Sequence, residues 1–186
     1  VLSAMQYERL ASRSGPTEGL VVRLSDNRPP KSIAWLQCIG SRDQQNAFCS
    51  SICCMYATKE ALLAKQRLNA DCSVFIMDER AFNKEYSAYF EKARSSGIHY
   101  NRCRVSAVRE DPETHNLILN YADANGQLHE ERFEMVVLAT GLQPPETAGQ
   151  LSEILGIELN QYGFCTTDKF TPLQTSRPGV FVCGAF

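Results

Sequence analysis

Four of the eight cysteines of this chain fall between residues 38 and 54, as Cys38, Cys49, Cys53 and Cys54. They occupy a turn between two patterned segments. The run 32–37 (Ser-Ile-Ala-Trp-Leu-Gln) reads as a buried strand, and 57–68 reads as a helix. A strand that enters a loop and leaves through a helix N-terminus opens a βαβ unit. In a dinucleotide-binding fold that turn is G-x-G-x-x-G, and its backbone N–H groups hold a pyrophosphate. Here the turn carries thiols, and Gly40 is its one glycine. The exchange suggests an electron-carrying cluster in place of a nicotinamide nucleotide.

The spacing, C-x10-C-x3-C-C, bears on the metal. Zinc favours two separated Cys-x-x-Cys hooks, each spanning an edge of a tetrahedron. No such hook is present, and adjacent cysteines on one small ion would be strained. A cubane offers several irons, so neighbouring residues reach different corners more easily. A structural zinc module that serves as a docking platform stays open at this point. Arg42 and the amides at the helix start are placed to stabilise a negatively charged centre and raise its potential; the alternative is a solvated loop cation.

Composition limits the rest. With 186 residues the chain holds one good core or two modest ones. A net charge of −2 gives no electrostatic case for nucleic acid or an anionic membrane surface. No apolar stretch approaches the roughly 18–20 residues of a bilayer span, and no secretory signal is visible. The opening Val1-Leu2-Ser3 and the closing Val182-Cys183-Gly184-Ala185-Phe186 are expected to be cuts in a larger protein. Eight cysteines fall short of a disulfide scaffold. A reducing compartment, the cytoplasm, is the expected setting.

Along the chain, 4–12 suits a short helix and 13–31 a loop carrying Gly15-Pro16, Gly19 and Pro29-Pro30. We expect three segments: a lead-in at 1–31, a Rossmann-like domain at 32–142, and a further segment at 143–186. The middle one comprises a strand at 32–38, a helix from about 50 to 68 and a strand at 73–78. A helix at 83–96 follows, stopped by Gly97, then a third strand at 98–103. Antiparallel strands are expected at 105–110, 117–122 and 131–134, and a buried strand at 135–141. Beyond Pro144-Pro145 come a helix at 147–155 and a last strand at 180–183.

This order resembles the two-dinucleotide flavoproteins of thioredoxin reductase type, through Ala139-Thr140-Gly141 and Pro178-Gly179-Val180-Phe181-Val182-Cys183-Gly184. More narrowly, Gln37-Cys38-Ile39-Gly40-Ser41-Arg42-Asp43 followed by Cys49-Ser50-Ser51-Ile52-Cys53-Cys54-Met55-Tyr56 looks like the flavin-carrying A-type component of heterodisulfide reductase and its relatives. The flanking 10–17 and 78–82 segments fit that family too. The resemblance implies an α/β fold: a parallel nucleotide-domain sheet with a three-stranded β-meander, plus part of a flavin domain at 143–186. It implies a [4Fe–4S] cluster on Cys38, Cys49, Cys53 and Cys54, and FAD near Thr140, Gly141, Gly184 and Ala185. Its function would be to relay electrons between FAD and [4Fe–4S] clusters, towards a disulfide-reducing or quinone-linked partner. The implied partners are other subunits of a heterodisulfide-reductase-like or hydrogenase-linked complex, and ferredoxin; a homodimer is compatible. The first FAD-binding segment and the ferredoxin-like Cys-x-x-Cys-x-x-Cys modules are missing from this sequence, so residues 1–186 are expected to be inactive alone. Ala185 stands where thioredoxin reductases have aspartate. The rival is the NAD(P)-binding domain of a pyridine nucleotide-disulfide oxidoreductase with incidental or redox-active thiols.

The remaining candidates read as structural. Cys72, Cys103, Cys165 and Cys183 are expected to pack, with Cys72 the one substitute ligand. His99, His115 and His129 read as surface residues. Asp78 reads as a strand-end acid paired with Arg80 rather than a ribose ligand. Phe82, Tyr86, Tyr89 and Phe90 read as a core-facing helix stripe.

Overall fold

The computed structural model of the chain describes residues 1–80, 82–184 and 186. It divides into two compact units, Val1–Gly141 and Leu142–Phe186. The first unit contains β1 (Leu2–Ser3), α1 (Ala4–Ala11), β2 (Ser32–Ile39), α2 (Cys53–Leu68), β3 (Asp71–Ile76), α3 (Tyr86–Ser95) and β4 (Ile98–Arg102). It continues through β5 (Val105–Glu110), β6 (Leu117–Ala122), β7 (Leu128–Phe133) and β8 (Met135–Thr140). The second contains α4 (Ala148–Leu155) and two isolated bridges, Leu159 with Cys165 and Gln174 with Phe181.

A parallel sheet in the order β1-β8-β2-β3-β4 forms the frame, and β5-β6-β7 form a separate antiparallel sheet. The central strands β2, β3 and β8 are buried on both faces, as a sheet covered on both sides requires. Ile33 and Trp35 of β2, Cys72, Val74 and Ile76 of β3, and Met135, Val137 and Ala139 of β8 share one core with α1, α2 and α3. The alternate residues Ala34, Leu36, Phe75 and Val136 share the other with Leu117, Leu119, Tyr121 and Phe133 of the meander.

Within the expected 1–31 segment, residues 1–11 join the first unit. Leu2 and Ser3 pair with Val137 and Leu138 of β8, and Ala4, Tyr7 and Leu10 of α1 are buried. A two-residue strand has too little pattern to be read from sequence. The Ser3 hydroxyl and the Gln6 side chain close a capping box that starts α1 directly from that strand. Other boundaries move as well. Helix α2 begins at Cys53 because Ser51 adopts left-handed backbone (φ 64°) just before it. Strand β7 begins at Leu128 and ends before Glu134. The strand expected at 180–183 is only the bridge of Phe181 with Gln174. Helix α4 is closed by Gly156 in the left-handed region (φ 62°), and the Arg177 guanidinium donates to the Leu155 carbonyl at 2.6 Å.

Among the described residues no helix is long and apolar enough to cross a membrane.

Phe75 joins the parallel sheet to the meander. It is 2% exposed and meets Tyr121 and Phe133 edge-on, with ring centroids 5.1 and 5.8 Å away. Phe75→Ala should cost about 3–5 kcal/mol of stability, because the cavity lies between two sheets that cannot close on it. Denaturant unfolding of the two proteins measures the difference.

Candidate metal centre

The cysteine loop begins where β2 breaks its pairing. The register with β8 shifts between Leu36 and Ile39, and Cys38 takes a positive φ of 60°. Gly40 (67°) and Arg42 (57°) follow in the same region. For non-glycine residues this backbone costs of order 1–3 kcal/mol each and persists only where neighbours hold it. Here they do. The Arg42 N–H donates to the Phe48 carbonyl at 3.0 Å, and the Ser41 hydroxyl to the same oxygen at 2.8 Å. Asp43 Oδ1 accepts the Gln45 and Asn46 N–H groups at 2.9 and 2.7 Å. Asn46 Nδ2 returns to the Gly40 carbonyl at 3.2 Å.

The loop leans on the end of β8. The Gly141 N–H donates to the Ile39 carbonyl at 2.8 Å. A Cβ at Gly141 would lie 2.8 Å from Ser41 Cβ, 2.9 Å from Ser50 Oγ and 3.2 Å from the Gly40 carbonyl oxygen. The glycine of Ala139-Thr140-Gly141 is therefore small because the cysteine loop closes over it.

The four thiols of this loop lie within range of one another's charge. Cys38, Cys53 and Cys54 are buried and Cys49 half-buried; all are free. Cys49 Sγ accepts the Ser51 N–H at 3.3 Å, and the Cys53 thiol donates to the Thr140 carbonyl at 3.6 Å. The Tyr56 hydroxyl donates to that same carbonyl at 2.9 Å. Burial raises the thiol pKa values of Cys38, Cys53 and Cys54, the last to about 11, and the charges of the neighbouring loop cysteines raise them further. The Arg42 guanidinium beside Cys38 works the other way. Left to themselves these thiols keep their protons; a positively charged core would replace those protons. Among the described residues no three His, Cys, Asp or Glu side chains converge tightly enough to hold a single metal ion. The donor set is sulfur alone, the chemistry of a thiolate-bound metal centre.

Helix α2 starts at Cys53 without a side-chain cap, so the positive end of the helix faces the two cysteines of its first turn. Arg42 is not simply solvated. Its guanidinium grips Asp78 through two nitrogens, Nη2 to Oδ2 at 3.1 Å, and Arg80 reaches the same carboxylate at 3.2 and 3.3 Å. Arg42 foremost, with Arg80, holds the Asp78 carboxyl below its ordinary range. Both oxygens of Asp78 are engaged by arginine.

Other expectations divide. Cys72 is fully buried at the start of β3, beside Ile33 at the start of β2. That is the end of the sheet opposite the loop, so it is no substitute ligand. Cys165 packs and Cys103 is half-buried, but Cys183 is exposed. His99 is exposed, His115 contacts Glu110 at 2.6 Å, and His129 contacts Asp123 at 3.1 Å. Of the aromatic stripe, Phe90 is buried and Tyr89 packs against the core, whereas Phe82 precedes α3 and is 56% exposed. Thr140 and Gly141 adjoin the cysteine loop. Gly184 is exposed with φ 82° in the second unit, and Ala185 lies outside the described residues.

One polar cluster was missed. Glu60 of α2 is 1% exposed and accepts the Trp35 indole N–H at 2.8 Å. In the sequence it sits among Lys59, Lys65 and Arg67 and looks solvated. The available signal is its place seven residues after Cys53, on the same helix face.

A family model described as pyridine nucleotide-disulphide oxidoreductase matches residues 56–186. The match starts just past Cys54, so it leaves the cysteine loop outside. The second A-type iron–sulfur component of the CoB–CoM heterodisulfide reductase of Methanopyrus kandleri is 40% identical over 192 residues, covering 100% of this chain and 29% of that protein. The A-type component of the H2/formate:CoB–CoM heterodisulfide,ferredoxin reductase of Methanococcus maripaludis is 37% identical over 99% of this chain and 29% of that protein. The chain thus spans about 29% of the length of these relatives. Among solved structures, the thioredoxin reductase of Lactococcus lactis superposes with a TM-score of 0.52 at 16% identity, over 85% of this chain and 45% of that one. That likeness is one of fold.

Gly141→Ala tests the loop's seat. The added methyl meets backbone and short side chains that cannot swing aside, so the loop must shift. Loss of order about residues 40–50, read by faster amide hydrogen exchange there than in the wild type, is the expected outcome.

Proposed function

The chain belongs to the pyridine nucleotide-disulphide oxidoreductase family, and on that premise we propose that it is part of an electron-transferring iron–sulfur flavoprotein, the A-type component of a heterodisulfide reductase. The observation that carries this reading is that four thiols, Cys38, Cys49, Cys53 and Cys54, lie within range of one another's charge where β2 gives way to α2. These four would hold a [4Fe–4S] cluster, which supplies one-electron transfer when bound. Arg42, kept in place by Asp78, sets a cation beside Cys38 and offsets the ligands' negative charge. Burial of three of the four thiols keeps water from the sulfurs.

In this reading 32–142 is a nucleotide-domain body given over to the cysteine loop, and 143–186 is the return segment of a flavin domain. FAD would approach Thr140, Gly141, Gly184 and Ala185 in the whole protein, where small residues admit a cofactor to the backbone. Electrons would pass between FAD and the cluster towards a disulfide-reducing or quinone-linked partner. The names of the relatives, with their hydrogen, formate and ferredoxin, support further subunits and ferredoxin as partners. Free thiols suit a reducing cytoplasm.

Anaerobic purification with iron and sulfide counting tests the cluster. Cys53→Ser or Cys54→Ser should abolish iron incorporation, and Cys165→Ser should leave it unchanged. Normal iron in both loop variants would sink the assignment.

A nicotinamide site is disfavoured by the same geometry. The turn has one glycine, and the acid that would take a ribose is already held by two arginines. Calorimetry should therefore find no micromolar binding of NADH or NADPH; such binding would restore the dehydrogenase reading.

A further inference from the structure

Glu60 is 1% exposed, a depth at which an ionisable side chain is almost never left without a partner. Its Oε2 accepts the Trp35 indole N–H at 2.8 Å, while Oε1 is buried with no hydrogen-bond partner. One neutral donor is far too little to hold a buried carboxylate. A proton on Oε1 is the partner that the site lacks. Glu8 of α1 brings a second carboxyl close enough for its charge to raise that of Glu60. Glu8 is ion-paired with Lys59, and both of those side chains extend to solvent, at 36% and 46% exposure. A polar path therefore runs from a dry interior carboxyl to water.

The surroundings leave Glu60 as the group that titrates near neutrality. Burial pushes it up to about 8, with the Glu8 carboxyl adding to the rise and Trp35 and Lys59 opposing it. Tyr7 of α1 and Tyr56 of α2 are both raised by burial, with the Glu60 charge contributing. Cys72 on β3 is pushed up to about 12, and Tyr100 on β4 is raised and joined to Thr58. The helix-facing residues of β8 are Met135, Val137 and Ala139, and α3 adds Phe90 and Ala93, none of them titratable. Glu60 also follows Cys53 by seven residues on one face of α2, about 10 Å along the axis. Across a dry interior, a unit charge at the loop is felt at that distance.

Building on the cluster reading above, we propose that Glu60 is a redox-linked proton site, exchanging with solvent through Glu8. Above the pH at which it titrates, where the carboxyl is ionised before reduction, one electron passed from reduced flavin to the cysteine loop would draw one proton from water, and an O–H bond would form on the Glu60 carboxyl. When the electron leaves, the proton returns. The net charge of the unit is unchanged across the cycle.

Trp35 is the single tryptophan of the sequence and touches the carboxyl in question. The fluorescence that Trp35→Phe removes should titrate with a midpoint near 8 and become flat in Glu60→Gln. In the iron-loaded protein the midpoint potential should fall as pH rises through that window, and stay level in Glu60→Gln. Reduced-minus-oxidised infrared spectra of the unmodified protein need no variant to fold; they should show a carboxylic-acid C=O band that shifts in D2O. A Trp35 titration that survives Glu60→Gln overturns the proton site. A titrating Trp35 with a potential independent of pH, or with no acid band in the infrared, overturns the redox link alone. A protein that takes up no iron overturns the cluster reading and the link with it, while the Trp35 titration still decides the proton site.

Discussion

The candidate centre depends on how β2 ends. That strand is buried on both faces, so its register is fixed twice. Ile33 and Trp35 belong to the helical layer, and Ala34 and Leu36 to the layer shared with the meander. A slip of one residue would exchange the two sets. Cys38 has therefore one place to stand, and its left-handed backbone marks the register shift just before β2 ends at Ile39. Because β2 runs parallel to both β8 and β3, the loop emerges at the carboxyl edge, where open α/β sheets bind their ligands. The strand delivers the loop and the sheet chooses its side.

A phosphate loop and a thiolate loop ask similar things of the helix that follows. Each brings negative charge to a helix N-terminus, and each gains from unpaired N–H groups there. They differ in what supplies the contacts. Phosphate needs bare backbone, hence glycine; a metal cluster needs side-chain sulfur, hence cysteine. The strained backbone of Cys38 and Arg42 is the cost of bringing side chains to a turn that glycines usually make. The neighbouring acid changes its role as well. Asp78 stands at a ribose-binding position but is matched against Arg42 and Arg80, which leaves a net cation beside the thiols. That excess lowers the cost of gathering thiolate charge, and would draw upward the potential of any centre bound there.

The βαβ unit, the meander and the cysteine loop were legible because each leaves a local pattern: an apolar run, alternation between turns, a cluster of one residue type. The pairing of Leu2 and Ser3 with β8 was not, since two residues carry no period and their partner lies far along the chain. Gly141 was legible as part of a motif, but not as a seat for Ser41 and Ser50, because a close approach between distant segments leaves no trace in either. Cys72 looked near the loop in sequence and lies at the wrong end of the sheet, a matter of strand direction. Glu60 was hidden for a different reason. Charge on a helix is ordinarily a mark of the wet face, and here the carboxyl points inward.

That inward carboxyl also explains why α1 belongs with the sheet. The face of α2 towards the sheet is built from Ala57, Ala61 and Ala64, small residues that let helix and strands approach closely. At the α1 flank Trp35 and Glu60 fill the space, and Tyr7 meets the Trp35 ring edge-on with centroids 5.6 Å apart. A leucine at position 60 would fill such space without the cost of burying a polar group. A carboxyl instead gives Trp35 an acceptor and draws Glu8, with its Lys59 partner, over the same spot. The contacts that dock α1 are thus the contacts that separate Glu60 from water. Any fraying of α1 would wet the carboxyl.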